Sequence, residues 1–392
     1  MRNALGRVVG VALAAALLLS ATACGSGSSS TPTTTAPYKV GAILSLTGSY
    51  AGLGQPEQNT LKMEVKRIND AGGINGRTIE VVYEDDGTDT AKAVAAAAKL
   101  IDQDGVIAIL GATGTGQSMA FRGDIDRAGI SQISMAGGTA ITATFDPLVY
   151  QTPWSNTIVV PFVMNKIKAD GYTKVGLISD SGGYGKDGRD VILKTAKDLG
   201  IEVVSDQAFN LGDTDMSTQL TNIKKAGAQA ILMWTAGAEA VTIAKNKEQL
   251  GITLPWYGGS GQARKEFPTG AGAAAEGFVF GTGKSLVPST WGEGTKEFTV
   301  VSDFASRYKA VYGSDPDIFA GHAFDAMNIL QDALKRAGSN PDGAKLNAAI
   351  EGTKDLIGFG GTYTYTPKDH NGLTTSDLAL YKIQGGTWVP IQ

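Results

Sequence analysis

The amino-acid sequence predicts an α/β protein of two facing lobes, and three observations carry that expectation. The first is a strand, loop and helix unit at residues 38–76. Residues 40–46 are a short apolar run with the length and composition of a buried strand. A small-residue loop follows at 47–54, then a helix with Leu61, Val65 and Ile68 on one face, ending at Ala71-Gly72-Gly73. The second is a return of the same grammar. Lys39-Val40-Gly41-Ala42-Ile43-Leu44 comes back as Lys174-Val175-Gly176-Leu177-Ile178-Ser179, followed by the loop Asp180-Ser181-Gly182-Gly183-Tyr184-Gly185. The third is size: 392 residues suffice for two cores, and 52 glycines with 7% aromatic content suit many tight loops. Loops at the C-ends of parallel strands are where such sheets bind ligands, so the two units are expected to face one cleft.

The N-terminus reads as an address. Arg2 and Arg7 form a basic start, and residues 8–19 are an apolar stretch too short to span a bilayer comfortably. Ala21-Thr22-Ala23 then precedes Cys24-Gly25, which resembles a bacterial lipobox, with Ala21 where Leu is usual. The expectation is a lipoprotein signal peptide at 1–23, lipidation at Cys24 and a tether at 24–37. Residues 25–37 are rich in Gly, Ser, Thr and Pro and would reach roughly 45 Å fully extended. Cys24 is the only cysteine, so neither an internal disulfide nor a cysteine metal cluster is possible. No metal or cofactor is expected. His322 and His370 cannot make a zinc site unaided, and His322 reads as a packing or capping residue in a helix. With 34 Lys+Arg against 38 Asp+Glu and no basic run, a nucleic-acid partner has little support.

In the first lobe, residues 78–83 are a β-branched strand and the acidic loop 84–89 lacks calcium-loop spacing, so it is expected to cap the next helix, 91–101. A strand at 106–110 leads to Gly111-Ala112-Thr113-Gly114-Thr115-Gly116-Gln117 and a helix running to about Arg127. The G-x-x-G-x-G spacing misses the dinucleotide fingerprint, but hydroxyls and free amides at a helix start suit a carboxylate. A strand at 130–134 and the loop Ala136-Gly137-Gly138-Thr139-Ala140 repeat that chemistry. Residues 150–161 look like a first crossing, with Pro153 and Trp154 at the hinge. The second lobe is expected to place strands near Val175, Val203, Ile231 and Trp256. Gly283-Lys284-Ser285 is not a phosphate loop, because Phe278 stands where the motif needs glycine and Pro288 denies a following helix. Helices at 298–312, 319–337 and 345–350 and strands at 363–365 and 378–383 complete the chain.

This series resembles the periplasmic binding proteins for branched-chain amino acids, the type I solute-binding components of ABC importers. The matching pieces are KVGAILSLTGSYAGLG, INDAGGINGR, VVYEDDGTD, GATGTGQ, SMAGGTA, SDSGGYGKDG, YGGSGQ, AEGFVF and HAFDAMNILQDALKRAG, covering about residues 38–385. The resemblance implies two Rossmann-like lobes joined by a three-stranded hinge. Lobe 1 would be 38–152 with 283–362, and lobe 2 would be 153–282 with 363–392. It implies a monomer on the extracytoplasmic face of the cell membrane, held by its lipid. Its partners would be the transmembrane permease subunits with their cytoplasmic ATPases.

An enzyme is disfavoured, since Gly258-Gly259-Ser260-Gly261-Gln262 lacks the last glycine of a serine-hydrolase elbow. A sensor of the same fold would ask for a transmembrane helix or signalling domain after it, and none precedes Gln392. By resemblance, Thr113, Thr115 and Thr139, with Gly137 beside them, would hold a ligand carboxylate. Leu53, Trp154, Tyr184 and Phe319 would wall the pocket. Ser260 stands where amino-acid binders of the family carry an acid for the ligand ammonium. Two readings follow: Glu239 or Asp180 supplies the charge to a branched-chain or other hydrophobic amino acid, or the ligand is an aromatic acid, keto acid or amide without an ammonium.

Overall fold

The computed structural model describes residues 36–392. Cys24 and nearly all of the expected signal and tether lie outside this range. Two sheets organise the chain. The first contains β1 (Tyr38–Leu44), β2 (Ile79–Asp85), β3 (Ala108–Gly111), β4 (Ser131–Ser134) and β5 (Val149–Gln151), all parallel, in the order β2-β1-β3-β4-β5. The second contains β6 (Lys174–Asp180), β7 (Glu202–Phe209), β8 (Ala230–Trp234), β9 (Trp256–Gly258) and β10 (Val279–Gly283), parallel in the order β7-β6-β8-β9-β10. The two orders are the same. A short antiparallel pair, β11 (Leu356–Ile357) and β12 (Thr362–Tyr363), lies apart. Antiparallel β13 (Leu378–Gln384) and β14 (Thr387–Ile391) extend the second sheet beyond β10.

The repeated Lys-Val-Gly therefore marks equivalent strands. β1 and β6 each stand second from an edge, between the next strand in the chain (β2, β7) and the one after it (β3, β8). Each glycine admits a helix side chain onto its strand. A Cβ at Gly41 would sit 2.9 Å from Leu100 Cδ1, and one at Gly176 would sit 2.2 Å from Ile223 Cγ2. Adding a methyl at Gly176 would press on the branched Ile223 and its helix, whereas at Gly41 the Leu100 side chain would have to turn aside.

Local chemistry sets the helix starts. Asp89 caps helix Thr90–Lys99 by accepting from the Lys92 amide at 2.9 Å, as the acidic loop leads one to expect. Asp85 and Asp86 instead fasten the loop after β1. Asp85 accepts from the Leu46 and Thr47 amides, and Asp86 accepts from the Ser45 hydroxyl at 2.6 Å. The segment after β3 is two helices, Thr115–Ala120 and Arg122–Ala128, broken at Phe121. The crossing after β5 is shorter than its sequence suggests, because Pro161 lies inside helix Asn156–Ala169.

Helices Lys296–Tyr312 and Ile318–Ala337 return to pack on helix Ala51–Asp70 of the first lobe. The three crossings are tied to one another. Tyr363 donates to the Thr152 carbonyl at 2.6 Å, the Gln151 amide to the His370 carbonyl at 3.0 Å, and Asn371 to the Pro153 carbonyl at 2.6 Å. Ser285, just after β10, donates to the Phe359 carbonyl. Among the described residues no helix is long and apolar enough to cross a membrane.

Candidate solute-binding site

In a sheet ordered 2-1-3-4-5, the loops after the first and third strands part in opposite directions and leave a crevice. Both sheets turn that crevice toward the other. The loops after β1, β3 and β4 meet the start of helix Gly183–Leu199 and the loops after β8 and β9, and helix Ile318–Ala337 closes one side. They enclose about 430 Å³ of empty space, part of it continuous with solvent.

Eight of the nine expected ligand-binding residues line this cavity: Leu53, Thr113, Thr115, Gly137, Trp154, Tyr184, Ser260 and Phe319. Thr139 does not. Its backbone amide donates to Asp187 Oδ2 at 2.7 Å, and Ala140 donates to Asp187 Oδ1 at 3.1 Å. The loop is thus used as a contact between lobes, with Asp187 from helix Gly183–Leu199 capping the short helix Ala140–Ala143.

The hydroxyls are not equivalent. Thr115 Oγ1 accepts from the Gly138 amide at 3.1 Å, which leaves its hydrogen free for an anion. The first amides of helix Thr115–Ala120 lie beside it and have no intrahelical acceptor. Thr113 Oγ1 accepts from the Ser45 amide at 3.0 Å and lies 2.5 Å from Glu57 Oε2. Ser260 spends its hydrogen on the Gly281 carbonyl at 3.3 Å and offers the cavity only lone pairs.

The remaining walls are apolar or aromatic. Tyr184 stacks on Trp234 with centroids 6.2 Å apart, and Trp154 and Phe319 both meet His322 edge to face, at 5.6 and 5.9 Å. Burial lowers the His322 pKa to about 3, so the imidazole is neutral, and neither its Nδ1 nor Trp154 Nε1 has a partner among the described residues. Tyr50 and Met135 are lining residues that sequence reasoning did not single out, and His322, expected to pack or cap within its helix, lines the cavity instead. Tyr50 had a signal: it is the one aromatic in a small-residue loop at a strand end.

Neither acid proposed for an ammonium reaches the cavity. Asp180 is buried and accepts from the Gly182 amide at 2.8 Å; burial first, with Glu239's charge adding, raises it to about 6. Glu239 Oε1 accepts from the Ser49 hydroxyl at 2.7 Å and the Gly212 amide at 2.6 Å. No lining side chain is an Asp, Glu, Lys or Arg. Nor do the described residues hold a group of three His, Cys, Asp or Glu that could take a metal.

Two lobes of one topology, meeting strand ends to strand ends at a shared pocket, are the arrangement of a solute-binding protein. The periplasmic binding protein family matches residues 37–387, and the chain belongs to it. The chain is 25% identical over 362 residues to Leu/Ile/Val-binding protein homolog 3 of Brucella melitensis, covering 91% of this chain and 94% of that one. An extracellular ligand-binding receptor from Rhodopseudomonas palustris HaA2 superposes with a TM-score of 0.85 at 26% identity, covering 91% of this chain and 100% of that one. LivJ, a branched-chain amino acid transporter substrate-binding protein of Streptococcus pneumoniae solved with isoleucine, gives 0.79 at 26% identity, with the same coverage. The fold and family resemblance read from the motif series are borne out.

Proposed function

We propose that this protein captures a small carboxylate-bearing solute between its lobes and delivers it to an ABC permease from the extracytoplasmic face of the membrane. One observation carries the ligand chemistry: the cavity combines a free Thr115 hydroxyl at a helix start with aromatic and apolar walls and no charged side chain. The carboxylate lies against Thr115 and the neighbouring amides, and the hydrophobic body lies among Leu53, Trp154, Tyr184 and Phe319. The named ligands of the relatives favour a branched-chain or other hydrophobic amino acid. The lobes, in this reading, are residues 38–152 with 283–362 and 153–282 with 363–392, working as a monomer.

A second reading rests on the missing acid. A buried ammonium without an anionic partner is costly, and neither Asp180 nor Glu239 lines the cavity, although Asp180 Oδ2 and Glu239 Oε2 have no partner among the described residues. That favours an aromatic acid or keto acid, which needs no such partner. Calorimetric titration separates the two: isoleucine and phenylalanine against their 2-keto acids and benzoate. Micromolar binding of the amino acid alone sinks the second reading, and binding of the deaminated acids alone sinks the first. Anchoring through Cys24 predicts that Cys24→Ala moves the protein out of the membrane fraction; a variant still membrane-bound is held by something else.

A further inference from the structure

Behind the cavity wall lies a carboxyl group that the binding scheme above does not use. Glu57, on helix Ala51–Asp70, is fully buried. Its Oε2 is 2.5 Å from Thr113 Oγ1, and its Oε1 has no partner among the described residues. Thr113 lines the cavity. A hydroxyl has one hydrogen and two lone pairs, and the Ser45 amide already occupies one lone pair of Thr113. The short contact to Glu57 therefore has two solutions. If Glu57 is ionised, Thr113 must give its hydrogen to Glu57 and has none for a solute. If Glu57 holds a proton, it donates into the second lone pair, and the Thr113 hydrogen is left for the cavity.

The surroundings decide between them. The groups whose charge bears on Glu57 are Asp86, after β2, and Asp317, which caps helix Ile318–Ala337; both are acids. Arg307, on the packed helix Lys296–Tyr312, is paired with Glu64 and Asp303. An ionised Glu57 would be a buried charge with one hydrogen bond and acidic company, an arrangement proteins avoid. Burial, opposed by the Thr113 bond and reinforced by Asp86 and Asp317, holds the group well above the usual carboxyl range.

We infer that Glu57 is a proton-bearing positioning residue that donates to Thr113 Oγ1 and so turns the Thr113 hydroxyl hydrogen toward the carboxylate of the bound solute. The inference rests on the carboxylate reading above. It makes the two threonines a matched pair: Thr115 is freed to donate by the Gly138 amide, Thr113 by Ser45 and Glu57 together.

The test is infrared spectroscopy of the intact protein at neutral pH with glutamate labelled by ¹³C at the side-chain carboxyl, which separates glutamates from the buried aspartates. The expected result is a protonated-carboxyl band that moves with the label, disappears in Glu57→Gln and shifts in Thr113→Val as its hydrogen-bond partner goes. Titration with isoleucine and benzoate accompanies it, and Thr113→Val is expected to weaken whichever probe binds by about tenfold or more. A wild-type spectrum with no labelled protonated band overturns the inference, even if Glu57→Gln fails to fold. So does a Glu57→Gln variant that binds the probe about tenfold tighter, the mark of a buried negative charge relieved. A carboxylate bound with no labelled band removes this inference and leaves the carboxylate reading standing; no carboxylate bound by the wild type removes that reading and the solute-facing role of Thr113 with it.

Discussion

Replacing Asp187, which does not itself line the cavity, with alanine is expected to weaken solute binding. Asp187 sits on the second lobe, yet both its oxygens accept from amides of the first, Thr139 at 2.7 Å and Ala140 at 3.1 Å. Asn156 also donates to it at 2.7 Å, and Asn156 in turn accepts from Trp234 Nε1 at 3.1 Å. Trp234 backs Tyr184, a cavity wall. The latch and the wall are therefore one connected unit. Hydrogen bonds to a charged group are worth about 1.5–3 kcal/mol each. Asp187 is half-buried, so solvent competes, and about 2 kcal/mol for the pair is a fair discount. These bonds exist only when the lobes meet, so the whole amount comes off the closed state, about thirtyfold in Kd. Calorimetry on Asp187→Ala measures it, with Asp190→Ala as control, because Asp190 is 77% exposed and pairs only with neighbouring Arg189. Solution scattering should show less compaction on adding ligand. An Asp187→Ala protein with affinity within about twofold of wild type and the same compaction would refute the latch.

Thr115→Val should cost about tenfold or more in carboxylate affinity, whereas Thr139→Val, outside the cavity, should cost much less; equal losses would contradict the assignment of the free hydroxyl to Thr115. Asp180 has a raised pKa, so the folded protein keeps its proton longer than the unfolded chain, and stability present below the ordinary carboxyl pKa is lost as pH rises through about 6. The rise from 3.8 to about 6 corresponds to about 3 kcal/mol, so denaturant unfolding of Asp180→Asn should match wild type near pH 4 and exceed it by up to that amount near pH 8. A gain independent of pH would argue against that account. Gly183→Ala should lower affinity by tenfold or more with little change in the melting temperature of the free protein, since a Cβ there would sit 2.4 Å from the Gly116 amide nitrogen of the other lobe. A fall in melting temperature without loss of affinity would place the clash inside one lobe.

The doubly wound architecture was legible because each lobe starts with a strand whose glycine, Gly41 or Gly176, is needed to seat a helix, and that need leaves a repeated sequence signature. Strand β14 was not legible. Its pattern around Gly385-Gly386 and Trp388 is that of a half-exposed hairpin, and only the edge offered by β13 makes it a sheet strand. The break at Phe121 was hidden for a related reason: the local sequence suits one continuous helix, while Phe121 is driven into the core beside Ile125. The cavity walls could be read from loops at strand ends, since topology alone brings those loops together. His322 could not, because it lies on a helix that returns from far along the chain, and nothing in its neighbours distinguishes a cavity-facing imidazole from a core one.

The glycine-rich loops had suggested an anion pocket, and their geometry argues for a second use that the same composition serves. Gly138 packs so closely on Thr115 that a Cβ would meet its Cγ2 at 2.2 Å, which is how the Gly138 amide comes to occupy Thr115's lone pair. Gly116 and Gly183 bring two backbones from opposite lobes into contact, and the Ser49 carbonyl takes the Ala238 amide across the same gap at 3.1 Å. Side chains at these positions would hold the lobes apart, and a gap there would admit water to the Thr115 end of the cavity. The small residues therefore do two jobs at one place: they free one hydroxyl for the solute and let the lobes meet tightly enough to keep that hydroxyl dry. Hydrogen bonds to an anion gain strength as water is excluded. Closure and carboxylate recognition are then a single structural property, and Gly183→Ala should weaken a charged carboxylate more than its uncharged amide analogue.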